Sequence, residues 1–299
     1  MFDVIIIGGS YAGMSAALPL VRARRKVLVI DSGLRRNRFA DAAHGVLAQD
    51  GRPPGEIAAE GKRQLMLYPD LTWRDGEAVS ASRLDDGFAV GTADGDRFSG
   101  RFLILATGVS DTLPDVPGLK ERWGRSVFHC PYCHGYELNR GALGVLASGP
   151  ISLHQAQLIP QWGPTTFFTN GVLTLDQEQQ QDLAKRGVTV EAKPVISVSG
   201  ERATVELADG RAIELAGLFV ASEVAPAGSL VEQLGCKLDE TPIGTVVDTD
   251  DFKATSIPGI FACGDTARAA GNVTLAMADG TMAAMGAHRA LLFGLPEPA

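Results

Sequence analysis

The sequence predicts an α/β protein made of two nucleotide-binding domains, and three observations carry that prediction. A short β-branched run, Phe2 to Ile7, turns through Gly8-Gly9-Ser10-Tyr11-Ala12-Gly13 into a helical pattern, and the next apolar run, Lys26 to Ile30, ends in Asp31. A second strand–turn–helix–strand pattern spans Gly144 to Thr169. Composition agrees: 299 residues suit about two domains, and 45% hydrophobic, 21% charged and 35 glycine residues describe a globular chain rich in tight turns. The expected architecture is therefore two Rossmann-like units, each a three-layer ββα stack.

Charge and cysteine usage exclude several function classes. Net charge is −8, and no basic tract stands out beyond Arg22 to Lys26, so nucleic acid is not an expected partner. Four cysteines in a chain of this length do not make a secreted disulfide scaffold. Val4 to Val21 is an uncharged run of 18 residues, long enough to resemble a membrane span or a signal segment. Both readings fail: Asp3 precedes the run, glycines at 8, 9 and 13 punctuate it, and the positive cluster follows it. No membrane association is expected, and the expected location is the cytoplasm.

The first βαβ unit has a specific mechanism. Gly8 permits the tight turn, Gly13 lets the helix pack against the strand, and the helix start, with Tyr11 and Ala12, faces a diphosphate. Asp31, 18 positions past Gly13, accepts hydrogen bonds from an adenosine ribose. Ser10 stands where glycine normally allows close backbone approach; it is small, and its hydroxyl can itself reach a phosphate. The helical pattern ends near Arg24, with Pro19 expected to bend it.

Arg35 to Pro54 reads as a long loop lying over the cofactor, and Glu56 to Leu67 as a helix. Leu71 to Phe98 reads as hairpins broken at Asp85-Asp86-Gly87 and Asp94-Gly95. Arg101 to Leu105 is another buried strand, followed by Ala106-Thr107-Gly108; Pro114 and Pro117 mark a domain boundary. The expected division is 1–113 and 239–299 for one nucleotide domain and 114–238 for an inserted one.

Within the insert lies Cys130-Pro131-Tyr132-Cys133-His134-Gly135-Tyr136-Glu137. Two thiols at this spacing can close a small disulfide and depress one thiol pKa. The octapeptide alone leaves other readings open. Zinc could use both cysteines with His129 or His134, but no second ligand pair follows. The pattern also matches haem c attachment, which requires export, and a structural disulfide suits an oxidising compartment. Cys236 and Cys263 read as core residues.

The second turn, Ala147-Ser148-Gly149-Pro150-Ile151-Ser152, keeps only one of three fingerprint glycines, and Asn170-Gly171 follows the next strand with no arginine nearby. NADP sites usually hold the 2′-phosphate with arginine at about this point, so a working NADPH site is not expected here. Gln177 to Arg186 reads as a polar helix and Val188 to Val220 as strands. Thr255 to Asp265 ends an apolar strand in Gly264-Asp265, where the carboxylate can meet sugar hydroxyls. The helix that follows, from about Asn272 with Val273 in its first turn, offers backbone N–H groups to an electron-rich ring.

Taken together, the Gly8 to Gly13 turn, Ala106-Thr107-Gly108, Cys130-xx-Cys133-x-Gly135 and Thr255 to Asp265 resemble the low-molecular-weight thioredoxin reductase family over essentially the whole chain. The resemblance implies the pyridine nucleotide-disulfide oxidoreductase class II fold, FAD, a discontinuous FAD domain interrupted by the second unit, and a homodimer. It also implies that Cys133 is the thiol nearest the flavin and Cys130 the interchange thiol. Two departures narrow it. Family members carry an acidic residue after the second cysteine where this chain has His134, with His129 before the first; a histidine titrating near neutrality can serve as acid/base. With the eroded second turn, this is similar to the branch of gliotoxin- and holomycin-type dithiol oxidases. Such a resemblance implies oxidation of a small dithiol, with oxygen or another acceptor in place of NADPH. An NADPH-dependent reductase acting on a thioredoxin-like protein and a flavin-based redox sensor are the alternatives.

Overall fold

A computed structural model of the chain describes residues 1–295. In chain order its first elements are β1 (Phe2–Ile7), α1 (Tyr11–Arg22), β2 (Val27–Asp31), α2 (Pro54–Leu65), β3 (Leu71–Asp75), β4 (Ala78–Leu84), β5 (Gly87–Thr92), β6 (Arg97–Leu105) and β7 (Val109–Thr112). Then come α3 (Leu119–Arg122), β8 (Val127–Phe128), α4 (Pro131–His134), β9 (Leu143–Leu146), α5 (Ile151–Leu158), β10 (Thr165–Phe168), α6 (Gln177–Lys185) and β11 (Thr189–Glu191). The rest are β12 (Val195–Ser199), β13 (Ala203–Leu207), β14 (Ala212–Leu215), β15 (Gly217–Val220), β16 (Glu223–Pro226), α7 (Leu230–Gln233), β17 (Leu238–Thr241), β18 (Gly244–Val247), β19 (Ile260–Ala262) and α8 (Val273–Phe293).

The chain forms two compact units. The first comprises Met1–Arg38, Arg52–Ser110 and the chain from Val224 onward. Its main sheet runs β3-β2-β1-β6-β5-β4, with β19 also paired to β6. β1, β2, β3, β6 and β19 pair in parallel, as their continuous apolar runs require, because such strands are covered on both faces. Period-two alternation divides the cover. Val4 and Ile6 share a core with α1 and α8, whereas Ile5 and Ile7 pack with Phe88 and Val90 of β5 and with α7. That is the expected ββα stack. Asn272 caps α8 by accepting the Leu275 N–H at 2.8 Å, and the buried face of that helix is mainly alanine and glycine.

The second unit comprises Phe39–Gly51 and Asp111–Glu223. Its five-stranded sheet, β11-β10-β9-β15-β8, is parallel throughout. Antiparallel β12-β13-β14 covers one face through Leu146, Phe168, Leu218 and Val220. On the other face Val145, Phe167 and Phe219 meet the side of α5 and α6. α6 begins with a reciprocal capping box between Asp176 and Gln179.

The division departs from the expected 114–238 at its end. Leu230, Val231 and Cys236 pack into the core of the first unit with Ile5, Leu28 and Leu103, so the chain has returned by Val224. Residues 39–51, read from sequence as a loop over the cofactor, group with the second unit, where His44 meets Glu137 at 3.4 Å. Among the described residues no helix is long and apolar enough to cross a membrane.

Candidate active site

In the first unit the strand-to-helix turn is fixed by backbone crowding. Gly8 sits at φ 104° and donates its N–H to the Ile30 carbonyl at 2.8 Å. A Cβ there would strike the Ala106 carbonyl, and a Cβ on Gly13 would strike the carbonyl of Gly8. Ser10 is the extended N-cap of α1 and its hydroxyl makes no cap bond. The N–H groups of Tyr11, Ala12 and Gly13 open the helix and have no intrahelical acceptor. Asp31 Oδ1 accepts the N–H of Gly9 and of Gly33, each at 3.1 Å, which holds the carboxylate at the end of β2.

The other expected cofactor residues converge on the same unit. β19 pairs alongside β6 with Ala262 opposite Leu105, so Ala106-Thr107-Gly108 and Gly264-Asp265 leave adjacent strand ends. Thr107 Oγ1 lies 3.3 Å from Oγ1 of the fully buried Thr266. Val273 opens α8. Asp265 accepts a 2.9 Å ion-paired hydrogen bond from Arg36.

Sequence reasoning missed the segment Arg35-Arg36-Asn37. Asn37 donates to the Tyr11 hydroxyl at 3.2 Å, and that hydroxyl donates to the Pro54 carbonyl at 3.2 Å; burial raises the Tyr11 pKa. Arg35 Nε and Asn37 Oδ1 are buried with no hydrogen-bond partner in the protein. Two arginines just after the strand-end acid, in a unit whose first helix start favours anions, were the available signal. The donor set suits FAD: helix N–H groups and arginines match a diphosphate, Asp31 and Asp265 match sugar hydroxyls, and the orphaned polar atoms require a partner.

In the second unit Cys130 and Cys133 form a disulfide with Cα atoms 5.5 Å apart. Cys130 is the N-cap and Pro131 the first residue of the one-turn α4. His134 stacks on Phe128 with ring centroids 4.3 Å apart and planes within 20°. Burial, reinforced by nearby His44, lowers its pKa to about 4, so the expectation of a group titrating near neutrality does not hold for His134. The His129 ring lies 5.9 Å from that of Trp123, and its backbone carbonyl accepts a hydrogen bond from Gln155 Nε2 at 3.1 Å. His44 Nδ1 stands 3.4 Å from Glu137 and 3.6 Å from Asp50, a grouping that sequence distance concealed. Tyr132 and Tyr136 are 71% and 87% exposed, so aromatic surface flanks the disulfide.

The second turn is closed on itself. Fully buried Ser152 accepts the Ser148 N–H at 3.0 Å, and the Ser148 hydroxyl donates to the Ala221 carbonyl at 2.6 Å. Past β10, Asn170 Oδ1 accepts the Val195 N–H at 2.7 Å. Two arginines of this unit are committed to carboxylates: Arg186 pairs with Asp182 at 2.9 Å, and Arg211 pairs with Glu191 at 2.7 Å and Asp209 at 2.8 Å. Among the described residues no group of three or more His, Cys, Asp or Glu side chains is arranged to hold a metal ion.

Cys236 and Cys263 are free and buried. Burial pushes the thiol pKa of both upward, and Asp279 adds to the effect at Cys263.

Comparison with known proteins agrees with this geometry. The family described as pyridine nucleotide-disulphide oxidoreductase matches residues 2–280. Thioredoxin reductase tcpT of Claviceps purpurea is 33% identical, with 98% of this chain and 95% of the relative aligned. An oxidoreductase from Agrobacterium tumefaciens superposes with a TM-score of 0.95 at 52% identity, covering 98% of this chain and 99% of the other. HlmI superposes with a TM-score of 0.90 at 34% identity, covering 97% and 92%. The chain therefore belongs to the pyridine nucleotide-disulphide oxidoreductase family, among its thioredoxin reductase-like, flavin-dependent disulfide oxidoreductases.

Proposed function

We propose that this chain oxidises a small dithiol to a disulfide through Cys130 and Cys133, with FAD as cofactor and without NADPH. The observation that carries the NADPH half of this reading is the closed second turn, where Ser152 occupies the Ser148 N–H. A nucleotide phosphate would have to displace that bond, and Arg186 and Arg211 are already paired with carboxylates.

In this reading the N-terminus of α1, with Gly8, Ser10, Tyr11, Ala12 and Gly13, holds the FAD diphosphate together with Arg35 and Arg36. Asp31 holds the adenosine ribose and Asp265 the hydroxylated chain on the flavin side, while Ala106, Thr107, Gly108, Gly264 and Val273 line the site. FAD, when bound, accepts two electrons from the reduced pair and passes them to oxygen or another acceptor. A substrate thiolate attacks Cys130 Sγ, breaking the Cys130–Cys133 bond and releasing Cys133 as thiolate. The second substrate thiol then attacks the mixed disulfide, so the substrate leaves oxidised by two electrons and the protein pair is left reduced. His134, neutral above about pH 4, is a weak acceptor for a thiol proton. That task falls to His129, the residue before Cys130. A homodimer and a cytoplasmic location belong to the same reading.

The names of relatives such as tcpT favour one second reading, an NADPH-dependent reductase of a thioredoxin-like protein. Anaerobic mixing with NADPH, NADH and dithiothreitol in parallel separates the two. Reduction of the flavin by dithiothreitol alone supports the proposal, and rapid reduction by NADPH overturns it.

A further inference from the structure

Gln155 lies on α5, the helix that follows the closed second turn, and is 9% exposed between buried Ser152 and Ala156. Its Nε2 donates to the carbonyl of His129, one residue before Cys130. Its Oε1 is buried and has no hydrogen-bond partner in the protein. Unpaired buried side-chain atoms of this kind are few: among the described residues the others belong to Arg25, Arg35 and Asn37, all in the first unit.

We propose that Gln155 is a positioning residue that raises the reduction potential of the Cys130–Cys133 pair, favouring its dithiol form. This rests on the dithiol-oxidising reading above. Reduction breaks the S–S bond and takes up two electrons and two protons, the electrons coming from a substrate dithiol that leaves as its disulfide. In the disulfide neither sulfur carries a hydrogen. In the dithiol, Cys130 gains an S–H, a weak donor, immediately after the carbonyl that the Gln155 amide already holds. An acceptor that is unpaired in one redox state and paired in the other is a bias toward the second, because leaving a buried acceptor unmade is the costly condition. The same amide donor fixes the backbone leading into Cys130 in both states.

The test is the thiol–disulfide equilibrium of the holoenzyme, measured in graded ratios of reduced and oxidised dithiothreitol. Acid quenching, alkylation and mass spectrometry of the Cys130–Cys133 peptide report the redox state independently of turnover. Gln155→Met keeps the volume and removes both amide groups. It is expected to shift the equilibrium about tenfold toward the disulfide, a fall in potential of about 30 mV for this two-electron couple. Gln155→Asn, which withdraws the amide by one methylene, is expected to shift it in the same direction and decides the matter if the methionine variant loses FAD. A shift smaller than threefold, or one toward the dithiol, overturns the role of Gln155 while leaving the dithiol chemistry intact. A wild-type pair that never leaves the disulfide across the whole range overturns both.

Discussion

Mixing the protein anaerobically with about 1 mM NADPH, near the upper end of typical KM values, is expected to leave its flavin oxidised for minutes. The expectation can be worked from the second turn. An arginine–phosphate contact is charge-assisted, and each one lost costs about 2 kcal/mol, or roughly thirtyfold in affinity. Thr169 and Asn170 stand where such arginines would be needed, and Asn170 is bound to the Val195 N–H. The Ser148 N–H is bound to Ser152, and freeing it for a ligand costs about 1 kcal/mol more. Together these come to about 5 kcal/mol, which carries a Kd of about 10 μM beyond 10 mM. NADH escapes the arginine deficit and meets only the turn, about 1 kcal/mol or roughly fivefold, so it is expected to bind better than NADPH. Stopped-flow absorbance decides the matter: bleaching by NADPH within seconds, with no dithiol added, would refute the reasoning. Arg186 or Arg211 would then have to leave their carboxylates to build the phosphate site.

Cys130→Ser is expected to leave Cys133 as a thiolate that gives the flavin a long-wavelength charge-transfer band, and Cys133→Ser to lack it; both should lose dithiol turnover, and the reverse pattern of bands inverts the two roles. His134 has a pKa of about 4 in the folded chain and about 6.5 in an unfolded one, so between these values the unfolded state binds the proton that the folded state refuses. Stability should therefore fall as pH drops through that window, by about 3 kcal/mol at full extent, and His134→Phe, which keeps a ring against Phe128, should remove that part of the loss. An unfolding midpoint with the same pH dependence in variant and wild type would sink this account. In protein reduced with dithiothreitol, a maleimide should label Cys130 and Cys133 quickly and Cys236 and Cys263 slowly, because burial disfavours both of the latter thiolates; fast labelling of Cys263 contradicts its place in the core.

The features legible in the sequence are those whose physics is local. Gly8 and Gly13 lie five residues apart in one turn: the positive φ at Gly8 and the Gly8 carbonyl that a Cβ on Gly13 would strike both belong to that turn, although the carbonyl crowding Gly8 comes from distant Ala106. The apolar runs of β1, β2 and β6 announced a parallel sheet covered on both faces, and the Cys130–Cys133 spacing allowed a disulfide without singling it out from a metal site. The missing glycines of the second turn were equally plain. Features that depend on contacts far apart in the chain were not legible. Arg36 reaches Asp265 across 229 positions, and nothing near either residue specifies the other. His134 looked like a neutral-pH acid/base because its sequence neighbours do not show Phe128 stacked on it or the burial that removes its charge. The insert closes at Glu223, before the expected 238, because Leu230 and Val231 belong to a core with Ile5 and Leu28, a pairing settled only when the sheet has formed. That Ser152 fills the second turn, and that Gln155 on the same helix holds the segment leading into Cys130, likewise became visible only with α5 packed in place. Periodicity and turn chemistry act within a few residues, whereas desolvation and ion pairing are set by whatever the fold brings alongside.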